Sequence, residues 1–209
     1  MDKMDQKTLW ERLAKTNSRY YINSDKGKKI TEDEFRKSGD ADYKRLILDD
    51  PIIDSRESIL DVGCGTGRMT EFMAKDFKKV IGVDISGEMI KQGKERLKGI
   101  NNIELIETDG NTYPLPDHSI DIAFSYIVFQ HIKTHQMVLN NFKEVFRVLK
   151  QWGLFKVLVR ADRPDNMEAW WNGVSYDEDT IGGLCVSTGF SLIKLEPVKS
   201  YAFWLWMEK

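Results

Sequence analysis

Cysteine is scarce. Cys64 and Cys185 are the only two in 209 residues, and neither stands in a CxxC or CxxH pattern. That argues against a disulfide framework or structural zinc and fits a reducing compartment. Histidine is nearly as rare, at three residues. His131 and His135 stand four apart, as two ligands on a helix would, but position 132 is Ile where H-E-x-x-H needs its glutamate. No third ligand suggests itself, so no metal is expected. No apolar run approaches the roughly 20 residues that span a bilayer. Residues 1–5 are polar and lack the apolar segment of a signal peptide. An excess of positive charge is missing too, since 31 Lys and Arg face 33 Asp and Glu for a net charge of −2. No basic field invites DNA or an anionic membrane. The expectation is a soluble cytoplasmic protein with no membrane partner.

What is present is alternation. Residues 1–50 predict helices and loops before the main fold. Leu9, Trp10 and Leu13 share a helical face, and Thr31 with Glu34 forms a capping box that opens a short helix. A second helix is expected over residues 40–48, stopped by Pro51. Residues 51–209 are expected to form the main domain. Strands are predicted at 59–62, 80–84, 103–107, 119–126 and 154–159. The helices between them fall at 68–77, 86–97 and 134–149, and another spans 177–188 before Gly189. Strands at 191–196 and 201–207 close the chain. Such alternation ending in a hairpin implies an α/β, doubly wound, mostly parallel sheet with an antiparallel edge. A ligand of such a sheet lies outside the carboxyl ends of the strands, beside the first.

Three strand ends carry suitable residues. The first runs into Gly63-Cys64-Gly65-Thr66-Gly67. Alternate glycines permit left-handed backbone and close approach of another molecule, and N–H groups at a helix start attract polar or anionic groups. The dinucleotide fingerprint needs a small residue where Arg68 stands, which counts against NAD or FAD. The second strand ends at Asp84, whose carboxylate suits the two hydroxyls of a ribose. The third ends near Asp109-Gly110, a carboxylate beside a residue that permits close approach.

In this order the motifs resemble the class I S-adenosylmethionine-dependent methyltransferases. The resemblance is carried by residues 60–67, Val83-Asp84-Ile85-Ser86, Asp109-Gly110, residues 120–126, Gln130-His131-Ile132 and residues 144–150. It implies a Rossmann-like seven-stranded sheet of order 3-2-1-4-5-7-6, last strand antiparallel, behind an N-terminal helical extension or lid. The implied cofactor is S-adenosylmethionine, with S-adenosylhomocysteine as product. The turn at Asp61, Gly63, Cys64, Gly65 and Gly67 would face the methionine portion. Asp84 would hold the ribose, Ile85 and Met89 would flank the adenine, and Asp109 with Gly110 would meet its amino group. Ser125 would lie beside the methionine moiety through its backbone. Trp152-Gly153 departs from the family's usual Pro-Gly or Gly-Gly and should alter only the turn.

The acceptor is less legible. His131 is the candidate general base if a protonated oxygen or nitrogen is methylated, and Tyr126 is the aromatic best placed to face the sulfonium. Trp10, Tyr20 and Tyr21 either form part of a lid or pack an N-terminal helix. Trp170 and Trp171, with Trp204 and Trp206, either line an acceptor pocket or belong to the core. No base-flipping signature follows the fourth strand, so no DNA partner is expected. A small-molecule acceptor is the leading expectation. The alternatives are a non-catalytic cofactor-binding subunit, or a methyltransferase acting on protein or RNA.

Overall fold

The computed structural model describes residues 5–24, 27–161, 173–199 and 201–209. Trp170 and Trp171 lie outside them. The sheet has seven strands in the order β3-β2-β1-β4-β5-β7-β6. These are β1 (Ser58–Val62), β2 (Lys79–Asp84), β3 (Ile103–Glu107), β4 (Ile120–Ser125), β5 (Leu149–Arg160), β6 (Ser191–Val198) and β7 (Ala202–Glu208). The pairs β1/β2, β2/β3 and β4/β5 are parallel, while β7 runs antiparallel to both β5 and β6. The order and the antiparallel last strand are those the resemblance implied. Contacts divide the chain into two compact units, Met1–Asp109 and Gly110–Lys209.

The first unit holds α1 (Gln6–Ile22), α2 (Glu32–Tyr43), α3 (Thr70–Met73) and α4 (Gly87–Arg96) with β1 to β3. Every residue of β1 is buried, as a central parallel strand requires. The Thr31–Glu34 capping box is present at the start of α2. Two helices depart from expectation. The helix expected over residues 40–48 is not separate: α2 runs through Gly39 and continues as a π-helical turn, Lys44–Leu48. Gly39 does not break the helix; it lets the helix approach, because a Cβ there would lie 2.2 Å from the carbonyl oxygen of Arg68. The helix expected over residues 68–77 is regular only at α3. Around it the bonds tighten to i→i−3, as in Phe72 N to Met69 O at 2.9 Å and Lys75 N to Phe72 O at 3.1 Å.

The second unit holds α5 (His135–Val148) and α6 (Glu178–Thr188) with β4 to β7. Thr134 and Asp177 cap these helices, and Gly189 ends α6 at φ 89°. Its core is aromatic. Phe142 meets Phe129 and Phe155 edge to face, each at 5.2 Å between ring centres. β5 begins five residues earlier than the strand expected over 154–159. It absorbs the turn at Trp152, which takes a left-handed φ of 65° and donates its N–H to Lys209 O at 3.1 Å.

Candidate cofactor site and the tip of the fourth strand

The β1–α3 turn is left-handed at all three glycines, with φ 75° at Gly63, 56° at Gly65 and 80° at Gly67. Gly63 N and Cys64 N both donate to Val83 O, at 2.8 and 3.0 Å, folding the turn over the end of β2. There Asp84 accepts from Gly65 N through Oδ2 and from Ser86 N through Oδ1, each at 2.9 Å. The carboxylate is thus oriented by two backbone donors and keeps further lone pairs for a ligand. Burial pushes its pKa up against those hydrogen bonds. Ser86 caps α4 by accepting from Met89 N at 3.2 Å, and Met89 is buried. Thr108 N donates to Asp84 O at 2.9 Å, which brings the exit of β3, with exposed Asp109 after it, to the same end of the sheet. Residues 63–67, Asp84, Ile85, Met89 and Asp109 therefore meet in one unit.

Two expected residues act from behind the turn. The Cys64 side chain packs into a core cluster with Ile90, Leu97 and Leu105, away from the face of the turn. Asp61 is buried beneath the turn and accepts from Thr70 Oγ1 at 2.6 Å. Burial raises its pKa to about 6, against the Thr70 hydrogen bond and the nearby Arg68 charge. The folded-state value lies above the unfolded one near 3.9. The folded state therefore holds a proton the unfolded state has released, and stability falls as pH rises from about 4 to about 6. Asp61→Asn should remove that slope and add about 2 kcal/mol near neutrality. Chemical denaturation at pH 5 and pH 7.5 measures both.

Sequence reasoning missed two arginines. Arg68, noted only as a departure from the dinucleotide pattern, is buried and donates to Asp42 Oδ2 at 2.7 Å and Ser38 Oγ at 3.3 Å, tying the turn to α2. Arg96 donates to Gly67 O at 3.0 Å and Glu32 at 2.8 Å, and also pairs with Glu71. It braces the turn from α4. As a basic residue in the last turn of a helix it carries a signal that fits any solvated cap.

In the second unit, Ser125 ends β4 fully buried. The Tyr126 ring stacks on Trp204 at 5.6 Å and 17°, and Trp204 stacks in turn on Phe124 at 6.1 Å. Trp204 and Trp206 are both buried, with the Lys156 ammonium 5.0 and 4.6 Å from their ring centres. Ile127 follows at φ 60°, a strained conformation for a β-branched residue and one without a sequence signal. His131 closes a 3₁₀ turn, Phe129–His131, with Nε2 3.3 Å from Gln130 Nε2. The ring of His135 stands edge-on to Tyr176 at 5.2 Å. Gly110, left-handed at φ 79°, accepts through its carbonyl from Asn141 Nδ2 at 2.7 Å.

A family profile described as a methyltransferase domain matches residues 59–153. Residues 59–153 form a class I methyltransferase domain. The chain is 28% identical over 139 residues to a malonyl-[acyl-carrier protein] O-methyltransferase of Marinomonas sp., covering 63% of this chain and 50% of that protein. It is 32% identical over 125 residues to a trans-aconitate 2-methyltransferase of Afipia carboxidovorans, covering 59% and 44%. The chain thus spans about half the length of these relatives. In fold, the methyltransferase domain and its flanks resemble an S-adenosylmethionine-dependent methyltransferase from Aquifex aeolicus. The TM-score is 0.63 at 21% identity, over 86% of this chain and 99% of that one.

The residues fit the family's cofactor. The Asp84 carboxylate is fixed to the glycine turn through the Gly65 N–H and keeps acceptor capacity for a ligand's hydroxyls. The Thr66 hydroxyl, buried in that turn, has no hydrogen-bond partner among the described residues.

Proposed function

We propose that the protein is an S-adenosylmethionine-dependent methyltransferase acting on a small-molecule acceptor. The observation that carries this reading is the Asp84 carboxylate held by the Gly65 and Ser86 N–H groups at the tip of β2. When bound, the cofactor supplies a methyl group already activated on a positively charged sulfur. The chain's task is to bind, align and exclude water. Asp84 would accept from both ribose hydroxyls. Asp109 would accept from the adenine amino group, and Ile85 and Met89 would enclose the ring. The turn at residues 63–67 would lie against the methionine portion with its backbone, and Ser125 would present its backbone from β4.

At the end of β4, Tyr126 would offer its ring to the sulfonium side and His131 would take the proton of an oxygen or nitrogen acceptor. Trp204 fixes the plane of the Tyr126 ring, so its orientation is set before a ligand arrives. The names of the relatives, one acting on an acyl-carrier-bound malonyl group and one on trans-aconitate, favour small acceptors. The test is transfer of labelled methyl from S-adenosylmethionine to a panel of small carboxylates, phenols and amines, beside a bulk protein and a bulk RNA arm. Transfer to a small molecule is expected. Transfer confined to protein or RNA would replace the acceptor class, and binding without transfer to any arm would favour a non-catalytic subunit.

A further inference from the structure

In the second unit, residues 173–176 tie the loop after β4 to the end of β5. Gly173 N donates to Gln130 O at 2.7 Å and Val174 N to Ile132 O at 2.9 Å, one on each side of His131. Tyr176 N donates at 2.9 Å to the carbonyl of Arg160, the last residue of β5. Gly173 is what permits the approach. A Cβ there would lie 2.2 Å from Ile132 O and 2.7 Å from the His131 carbonyl carbon.

This junction gathers cations. Arg160 Nη1 donates to Gly173 O at 2.9 Å, which fixes a half-buried guanidinium while its other donors have no carboxylate partner among the described residues. Lys133 stands on the adjoining loop. Desolvation and the Arg160 charge both lower its pKa, so the two cations are close enough to repel. Asp177, the next acid along the segment, is engaged in the α6 cap, where it accepts from Thr180 N at 2.8 Å. A second observation comes from Tyr176. It is only 4% exposed, and its hydroxyl has no hydrogen-bond partner among the described residues. Such a hydroxyl is costly to bury, and an acceptor atom of a ligand would satisfy it.

We propose that Arg160, Lys133 and Tyr176 form a carboxylate-binding subsite for the methyl acceptor, which makes the substrate class a small organic acid. The planar guanidinium matches the two oxygens of a carboxylate side by side, and an anion near both cations relieves their repulsion. The Tyr176 hydroxyl adds a neutral donor. Because Gly173 is bonded to the residues flanking His131, the acid group is held beside the candidate base. The role toward an acceptor rests on the methyltransferase reading above, whereas anion binding does not.

Isothermal titration with glutarate, glutaramide, citrate and inorganic phosphate, in saturating S-adenosylhomocysteine, tests the subsite. The two acids should bind and glutaramide should not. Arg160→Gln and Lys133→Gln should each weaken glutarate about tenfold, and Lys133→Arg should restore it. Tyr176→Phe should weaken glutarate about fivefold without lowering thermal stability, because the hydroxyl has no partner to lose. With labelled S-adenosylmethionine, acids of a panel should be methylated in preference to the matching amides, with KM raised in the same variants. No binding of either acid, equal binding of glutaramide, or preference for phosphate would overturn the subsite. So would parent-like glutarate affinity in both Arg160→Gln and Lys133→Gln. Transfer to the amides alone would overturn its role toward the acceptor while leaving the methyltransferase reading intact. A chain that binds glutarate through Arg160 but binds no S-adenosylhomocysteine would remove the methyltransferase reading and, with it, the acceptor role, and the anion site would stand.

Discussion

Asp84→Ala is expected to weaken binding of S-adenosylmethionine and S-adenosylhomocysteine by roughly 1–3 kcal/mol, or about five- to 150-fold in Kd. The ribose would lose a charged acceptor that two backbone N–H groups hold in place. The fold should survive. Alanine leaves the Gly65 and Ser86 N–H groups without that acceptor, but it also removes a carboxylate whose ionised form burial disfavours. These effects on stability oppose one another. Asp84→Asn separates charge from shape, because it keeps an acceptor oxygen and drops the charge, and its affinity should fall between parent and alanine. The pH dependence follows from the same shift. Burial raises the pKa of Asp84, so the ionised form that accepts best is lost on acidification sooner than for a solvated aspartate. Affinity should decline on the acid side, and Asp84→Asn should flatten that decline. Isothermal titration across pH reads both; parent-like affinity in Asp84→Ala would remove the ribose assignment.

Gly39→Ala is expected to destabilise the protein by roughly 2 kcal/mol, although alanine is the better helix former by about 1 kcal/mol. The reason is tertiary. The added Cβ would lie 2.2 Å from the Arg68 carbonyl oxygen and 3.0 Å from its carbonyl carbon, both backbone atoms of the segment that follows the glycine turn. Relief requires α2 to move away, which also lengthens the half-buried Arg68–Asp42 contact of 2.7 Å. Cofactor affinity should fall along with thermal stability, because α2 and the turn are one packed unit. Thermal unfolding of Gly39→Ala beside Gly27→Ala separates packing from glycine entropy. Gly27 has nothing within 4 Å of an added Cβ, so its substitution meets only the penalty of its left-handed φ of 80°. A Gly39 variant as stable as the parent would mean that α2 does not bear on the turn.

These expectations mark where the sequence was informative. Local signals were read correctly: the capping box at Thr31 and Glu34, the stop at Gly189 and the strands β1 to β3. Each depends on residues within a few positions of one another. The sheet order came from the family resemblance, since single-strand patterns do not specify neighbours. The run of α2 through Gly39, where a separate helix over residues 40–48 was expected, carried no local signal, because a glycine in a helical stretch looks the same whether it breaks the helix or admits another backbone. Arg68 and Arg96 were passed over because their partners, Asp42, Glu32 and Glu71, lie 25 or more positions away in sequence. The left-handed Ile127 and Trp152 carry no signal at all, for neither is a residue type that favours that conformation.

The candidate site divides in the same way. The shape of the glycine turn and its bond to Asp84 were legible because alternate glycines before a helix and an aspartate at the next strand end are residue types with few other reasons to occur together. Tyr126 and His131 were named from position alone, and the stacking of Tyr126 on Trp204 depends on a strand 78 positions later. The break inside α1, where Asn17 takes φ −169° and ψ 80°, was not read from the sequence.

The most direct test of the central claim is isothermal titration of the purified chain with S-adenosylhomocysteine, repeated with S-adenosylmethionine. Binding of one molecule per chain, weakened about fivefold or more in Asp84→Ala with the variant still folded, is the predicted result. A folded parent chain that binds neither molecule would contradict it.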